Sequence, residues 1–140
     1  MIRLSVLLVG VLCFLPSIAV AQQKYSVATL PPVVVKTVPQ AGDMKVDPNT
    51  NEIRVTYSKR MLDKSWSWGQ ISNDTMPKST GEPHYLADGK TCVLPVKLEP
   101  GKTYVLQLNS LTGKFANFKD RKQQPAVPYL LVFQTRKAGA

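Results

Sequence analysis

Apolar and polar residues alternate along much of the chain, a pattern typical of β-strands that bury one face. The clearest example is segment 53–58, in which Ile53, Val55 and Tyr57 fall on one side and polar residues lie between them. Segments rich in proline, glycine, asparagine and aspartate separate the alternating runs, and Asp88-Gly89 is a strong tight-turn signal. Beyond residue 21, no long segment keeps the apolar period of about 3.6 that marks a helix. The pattern therefore predicts an all-β chain.

Six or seven short strands joined by hairpin turns would form an all-β sandwich. Pro31 and Pro32 cannot donate ladder hydrogen bonds, so the first strand is predicted at a sheet edge. Segments 72–81 and 110–125 are predicted as loops. Besides segment 53–58, strands are predicted at residues 33–38, 65–68, 83–86, 91–98, 103–109 and 129–135. The predicted core consists of the residues on the apolar strand faces: Ile53, Val55, Tyr57, Cys92, Leu94, Val96, Leu98, Tyr104, Leu106, Leu108, Leu131 and Phe133.

The first 21 residues have the three-part pattern of a secretory signal peptide. An apolar run from Leu4 to Leu15 follows Arg3, and the small-residue sequence Ala19-Val20-Ala21 ends the segment. The run is shorter than a comfortable membrane span, so a signal peptide is favoured over a permanent transmembrane helix. We expect an exported mature protein, whether periplasmic, surface-bound or released, without a transmembrane segment. Its expected parts are a signal peptide at 1–21, a flexible leader at 22–30, one sandwich domain at 31–136 and a tail at 137–140.

Charge adds a preference for anionic partners, because the chain carries a formal net charge of +9, which falls to +8 when Arg3 is removed. The densest basic cluster lies in the predicted loop 110–125, beside Phe115 and Phe118. It consists of Lys114, Lys119, Arg121 and Lys122. The cluster predicts either a binding surface for an anionic partner or a solvated loop anchored by one buried phenylalanine. Basic residues do not interleave with aromatic residues as in a single-strand groove, so no nucleic-acid binding is expected.

Few residues carry the chemistry that catalysis or metal binding needs. Cys92 is the one cysteine left after cleavage, and its apolar neighbours predict a buried, inert thiol, with pairing between two chains as the alternative. His84 is the only histidine and cannot by itself complete a catalytic triad or a metal site. Oxygen ligands of the kind that calcium requires gather in one loop, at Asp43, Asp47, Asn49 and Asn51. That loop lacks the spacing of an EF-hand, so we expect no metal, and calcium binding stays an open alternative. Without a nucleophile–base pair in view, we also expect no enzyme activity and no cofactor.

Trp66 and Trp68 are the strongest binding candidates, because residues two apart on a strand project from the same face. Exposed on that face, the indoles would form a flat platform about 7 Å long that could stack on sugar rings or on a partner's side chains. The alternative is that one or both fill the sandwich core, as large aromatic residues do in immunoglobulin-like domains.

Five motifs follow one another along residues 31–136. They are Pro32-Val33-Val34 with Pro39-Gln40-Ala41-Gly42, then Ile53-Arg54-Val55-Thr56-Tyr57-Ser58-Lys59-Arg60-Met61, Leu98-Glu99-Pro100-Gly101-Lys102-Thr103-Tyr104, Phe118-Lys119-Asp120 with Pro125, and Phe133-Gln134-Thr135. Together they resemble the bacterial Ig-like domain of the SbsA type, which is found in S-layer and other exported bacterial proteins. Gln123 and Gln124 stand where that family usually has a glycine before the proline, which changes a turn and not the fold. The resemblance implies an all-β fold, an immunoglobulin-like antiparallel β-sandwich of about seven strands, without a catalytic centre of its own.

The sequence therefore predicts an exported, non-catalytic protein with a binding, adhesion or structural role at the cell envelope. The expected partner is an envelope protein or an anionic or glycan polymer. The alternative is a carbohydrate-binding module that uses exposed Trp66 and Trp68. Immunoglobulin-like folds host many unrelated roles, so the resemblance does not specify the ligand.

Overall fold

Two antiparallel sheets pack against each other in the computed structural model, which describes residues 24–139. The strands are β1 Val34–Val38, β2 Glu52–Tyr57, β3 Trp68–Gln70, β4 Lys78–Ser79, β5 His84–Tyr85, β6 Thr91–Lys97, β7 Thr103–Leu108 and β8 Tyr129–Gln134. The larger sheet has the order β1-β2-β6, and β4 and β5 both pair with the far edge of β6. The smaller sheet has the order β3-β7-β8. The predicted all-β antiparallel sandwich is confirmed, while the predicted signal peptide lies outside the described residues.

The core fills the space between the sheets, as the alternating pattern predicts. Burial alternates along β2, where Ile53, Val55 and Tyr57 are buried and the residues between them face outward. All twelve residues of the predicted core are buried, and side chains from both sheets meet in two clusters, one around Leu106 and one around Tyr57. Alternation does not identify five further buried apolar residues, because four of them lie in loops and one lies on the outward side of β6. They are Val46, Met61, Phe118, Ala126 and Val93.

Two segments differ from their predicted structure. The predicted strand at 65–68 is wrong in its bounds, because β3 begins at Trp68. The Ser65 hydroxyl donates to the Asn117 carbonyl and the Ser67 hydroxyl accepts from the Asn117 N–H, so both serine side chains bond to a loop. In the predicted loop 72–81, residues Lys78–Ser79 form β4, which is too short for an alternating pattern to mark it.

The strand edges differ in how well they are covered. The outer edge of β8 is paired with segment 42–46, since the Gly42 N–H donates to the Val132 carbonyl and the Val46 N–H donates to the Gln134 carbonyl. In contrast, β3 pairs only with β7 among the described residues. The sandwich is therefore left with an open side along β3, facing the β4–β5 connection of the other sheet. No helix in the described range is long and apolar enough to cross a membrane.

Candidate functional site

An open groove of about 790 Å³ lies along the free edge of β3, and we call it the aromatic groove. It is bounded on one side by β3 and its neighbour β7, and on the other by Met76 and Pro83 next to β4 and β5. Its lining consists of Trp66, Ser67, Trp68, Gly69, Gln70, Met76, Pro83, Gln107, Asn109, Ser110, Phe115 and Asn117. None of these side chains is charged, although the protein as a whole is strongly basic. The groove therefore combines aromatic rings with neutral hydrogen-bonding groups.

Both tryptophans predicted as binding residues line this groove, and each is half-buried. Trp66 packs on the cluster around Tyr57, and its ring lies 6.5 Å from the ring of Tyr85, measured between centroids. Trp68 packs on both core clusters and meets Phe118 edge to face at 5.4 Å. Each indole thus has one part in the core and another in the groove. The structure brings the two together, as a groove wall and not as a freely exposed platform.

Buried polar groups lie behind the tryptophans and are held in their neutral forms. Burial raises the pKa of the Cys92 thiol to about 12, and the nearby Trp68 indole N–H offsets part of this effect. Burial likewise raises the pKa values of the Tyr57 and Tyr85 hydroxyls. The Tyr85 hydroxyl donates to the Ser65 carbonyl, which fixes the chain just before Trp66. Cys92 is free and fully buried, as predicted, so its thiol has neither the ionisation nor the access that a nucleophile needs.

Asn109 attaches the loop after β7 to the core. Its backbone φ is 60°, and its side chain is buried with 1% of its surface exposed. The amide Nδ2 donates to the carbonyls of Phe118 and Ala126 at 2.8 and 3.0 Å, while Oδ1 accepts from the Phe118 N–H at 2.9 Å. These bonds close the loop that carries Ser110, Phe115 and Asn117 into the groove. Sequence analysis missed Asn109, although asparagine is one of the few residues that readily adopts positive φ.

Three loop segments meet at one end of the sandwich, and we call residues 58–67, 86–91 and 109–128 the basic end. They meet there because β2 ends, β6 begins and β7 ends beside one buried cluster. Backbone bonds join the segments, from the Met61 N–H to the Gly89 carbonyl and from the Leu62 N–H to the Lys119 carbonyl. All four predicted basic residues lie here, with Lys119 half-buried and the others exposed: Lys114, Lys119, Arg121 and Lys122. Phe118 is fully buried beneath them, while Phe115 is exposed.

One acidic group of the basic end is used structurally. Asp120 is buried and forms an ion pair with Lys59 at 2.9 Å. Its Oδ1 also accepts hydrogen bonds from the N–H groups of Lys122 and Gln124. Burial acts to raise the pKa of Asp120, but Lys59 and these N–H groups outweigh it, so the pKa lies below its ordinary value of 3.8. Asp120 therefore fixes the 119–124 turn and does not offset the exposed basic residues.

The remaining candidate residues are occupied locally or stand apart. In the loop considered for calcium, the Asp43 carboxylate accepts from the Lys45 N–H, and the Asp47 carboxylate accepts from the Asn49 N–H and from Arg136. Within residues 24–139, no three histidine, cysteine or acidic side chains gather into a group that could hold a metal. His84 is exposed on β5 while Cys92 is fully buried, so these two do not form a nucleophile–base pair.

Comparison with known proteins gives a family and a distant structural neighbour. A family model described as Bacterial Ig-like domain matches residues 28–135. Among solved structures, the crystal structure of the S-layer protein rSbsC(31-844) is similar, with 20% sequence identity and a TM-score of 0.47. The alignment covers 78% of this chain and 14% of that one, so the chain corresponds to a small part of that protein's length. No curated protein matches the chain.

Proposed function

This chain belongs to the bacterial Ig-like domain family, and from that membership we propose that it is an exported, non-catalytic binding protein of the cell envelope. The signal-peptide pattern of residues 1–21 supports export. The buried, un-ionised Cys92 and the isolated His84 support a role without catalysis. The fold alone does not specify a ligand, so the argument for binding depends on the aromatic groove.

The observation that carries the proposal is the groove's composition. Aromatic surface is half-exposed at Trp66 and Trp68, and these rings are held rigidly because their other sides pack into the core. A rigid indole presents a large contact area at little cost in side-chain entropy. The Trp68 indole N–H is itself buried, so the polar contacts of the groove come from neighbouring amides and hydroxyls. Recognition sites are mostly apolar clefts with a few placed polar groups, which describes this groove.

The absence of charge among the lining residues favours a neutral saccharide as the ligand of the groove. The amides of Gln70, Gln107 and Asn117 and the hydroxyls of Ser67 and Ser110 could bond sugar hydroxyls, while an indole stacks on a sugar ring. An anionic polymer would find no cation among the lining residues to pair with. A neutral segment of an envelope protein is the competing ligand, because the same aromatic groups can pack against its side chains.

Intrinsic fluorescence tests the proposal, because Trp66 and Trp68 are the only tryptophans and both line the groove. We expect a soluble neutral oligosaccharide, such as an N-acetylglucosamine hexamer, to shift the emission in a saturable way. Phe115→Ser should weaken this binding by about tenfold or more, since the loss of an aromatic contact at a binding site costs roughly 1–2 kcal/mol. Tyr25→Ser is the matched control, because Tyr25 is exposed and does not line the groove.

The outcomes separate the two ligands. If neutral saccharides leave the emission unchanged, the saccharide hypothesis is wrong. The groove would still be the binding site if it bound an envelope protein. Cross-linking from Gln70→Cys would then capture that protein, and the capture would be lost when Phe115→Ser is added. If neither readout responds to Phe115→Ser, the groove is not a binding site.

A further inference from the structure

The positive charge of the protein is concentrated at the basic end. Its three segments hold eight lysines and arginines and three aspartates, a net charge of +5, out of +8 for all described residues. One of the three aspartates, Asp120, is already neutralised by Lys59. The other described residues, in the strands and at the opposite end of the sandwich, together carry a net charge of +3. A field of this kind attracts an extended anionic surface and orients the protein toward it.

The same end exposes large apolar side chains. Leu111 and Phe115 are 72% and 59% exposed, and both lie in a short loop closed by a hydrogen bond from the Ser110 N–H to the Phe115 carbonyl. Leu86, in segment 86–91, and Val127, near the end of segment 109–128, are also exposed. The Lys114 ammonium lies 5.6 Å from the centre of the Phe115 ring, so charge and apolar surface alternate at the loop tip.

Two arginines at this end are free to take an anionic group. Arg60 and Arg121 line one hollow of about 220 Å³, together with Asp63 and Tyr85. Among the described residues, neither guanidinium has a carboxylate within salt-bridge distance. The Arg60 guanidinium packs against the backbone of Gly89, where an added Cβ would lie 3.0 Å from it. The guanidinium thus lies beside the turn at Gly89, and Asp63 is the one acidic residue among those that line the hollow.

We propose that the basic end docks on the surface of an anionic lipid bilayer. Clustered basic residues bind the charged headgroups, and exposed leucine and phenylalanine side chains enter the boundary between headgroups and acyl chains. The two arginines take up lipid phosphates, to which a guanidinium presents paired N–H donors. A soluble polyanion would use the charge but would gain nothing from Leu111, so the combination favours a membrane. Phe115 belongs to both surfaces, but Leu111, Arg60 and Arg121 do not line the groove, so variants at these three residues test docking without changing the groove lining.

Vesicle sedimentation tests the docking directly. The purified protein is mixed with vesicles of phosphatidylcholine alone or with about one-third phosphatidylglycerol, at about 0.1 M salt, where the Debye length is near 10 Å. We expect binding to the anionic vesicles to exceed binding to the neutral ones by roughly 100-fold, and to weaken as salt rises. The double variant Arg60→Gln and Arg121→Gln should lose at least about tenfold, since each basic residue near the surface contributes roughly fivefold.

Matched variants separate docking from general charge. Lys45→Gln with Lys97→Gln removes the same charge from exposed positions outside the basic end and should lose less than about threefold. Leu111→Asp should lose roughly tenfold, whereas Ile71→Asp, at an exposed apolar residue outside the basic end, should change little. Equal losses from both charge pairs, or no loss from Leu111→Asp, would overturn the proposal. So would tight binding to linear polyphosphate without binding to vesicles, which would indicate a soluble polyanion instead.

Discussion

Replacing Asn109 tests how the loop after β7 is held to the sandwich. The side chain supplies two donors and one acceptor to the backbone groups of Phe118 and Ala126, all away from solvent. We compare three substitutions, Asn109→Ala, Asn109→Gly and Asn109→Asp. Alanine removes the three bonds and must adopt positive φ, glycine removes the bonds without that strain, and aspartate keeps the shape but loses the amide donors.

The structure sets the expected magnitudes. Each hydrogen bond contributes about 1 kcal/mol net, so the loss of three costs about 3 kcal/mol in Asn109→Gly. A left-handed backbone adds about 1 kcal/mol for alanine, which gives about 4 kcal/mol in Asn109→Ala. In Asn109→Asp the new carboxylate would face two carbonyl oxygens in a buried site, so we expect a loss of at least about 4 kcal/mol at neutral pH. Burial favours the protonated form of that carboxyl and raises its pKa, so lowering the pH should restore part of the stability.

Urea unfolding, followed by tryptophan fluorescence and by circular dichroism, measures these free energies. Trp68 is a local reporter, because its ring contacts Phe118, the residue that Asn109 holds. Asn51→Ala is the control, since Asn51 is exposed, and its cost should stay within about 0.5 kcal/mol. The reasoning is refuted if Asn109→Ala costs less than about 1 kcal/mol, or if Asn109→Asp shows no gain relative to the wild type as the pH falls. Asn109→Gly keeps the test usable if the alanine variant does not fold.

Two further predictions concern buried groups. Asp120→Asn should cost about 3 kcal/mol at neutral pH, because it leaves the largely buried Lys59 without its partner. Because the folded protein lowers the pKa of Asp120, its contribution to the free energy of unfolding is present above the ordinary pKa of 3.8 and is lost as the pH falls through the folded value. The urea midpoints of wild type and variant should therefore converge in acid. The Cys92 thiol, with a pKa near 12, should not react with a thiol reagent at mild alkaline pH until the protein unfolds; rapid modification of the folded protein would contradict this.

The sequence predicts the fold and core well because strand burial is a local pattern. Ile53, Val55 and Tyr57 mark a buried face by their spacing alone, and the chain's membership of the bacterial Ig-like family agrees with the motifs that suggested it. The aromatic groove was harder to predict, since it forms between segments distant in sequence. Ser67 and Asn117 meet through a hydrogen bond across 50 positions, and no periodicity records such a contact.

The distribution of charge is also only partly predictable from the sequence. Lys119 and Arg121 are close in sequence, so a basic loop is predictable. Arg60 is not part of that loop, and it reaches Arg121 only because the segment after β2 pairs with residue 120 and with Gly89. The basic loop is a local feature of the sequence. The basic end forms only in the folded protein, because several strands end or begin beside the same core cluster and bring their loops together.

Asn109 connects the two proposed surfaces to each other. The loop that it closes contributes Phe115 and Asn117 to the aromatic groove and Leu111 to the basic end. A variant that loosens this loop while the sandwich stays folded should therefore weaken saccharide binding and vesicle binding together. Arg60→Gln with Arg121→Gln should weaken vesicle binding alone, because neither residue touches the groove. Asn109→Gly is the variant suited to this comparison, since it removes the side-chain bonds without adding backbone strain. If it impaired one activity and left the other intact, the loop would not position both surfaces, and the shared role of Asn109 would have to be abandoned.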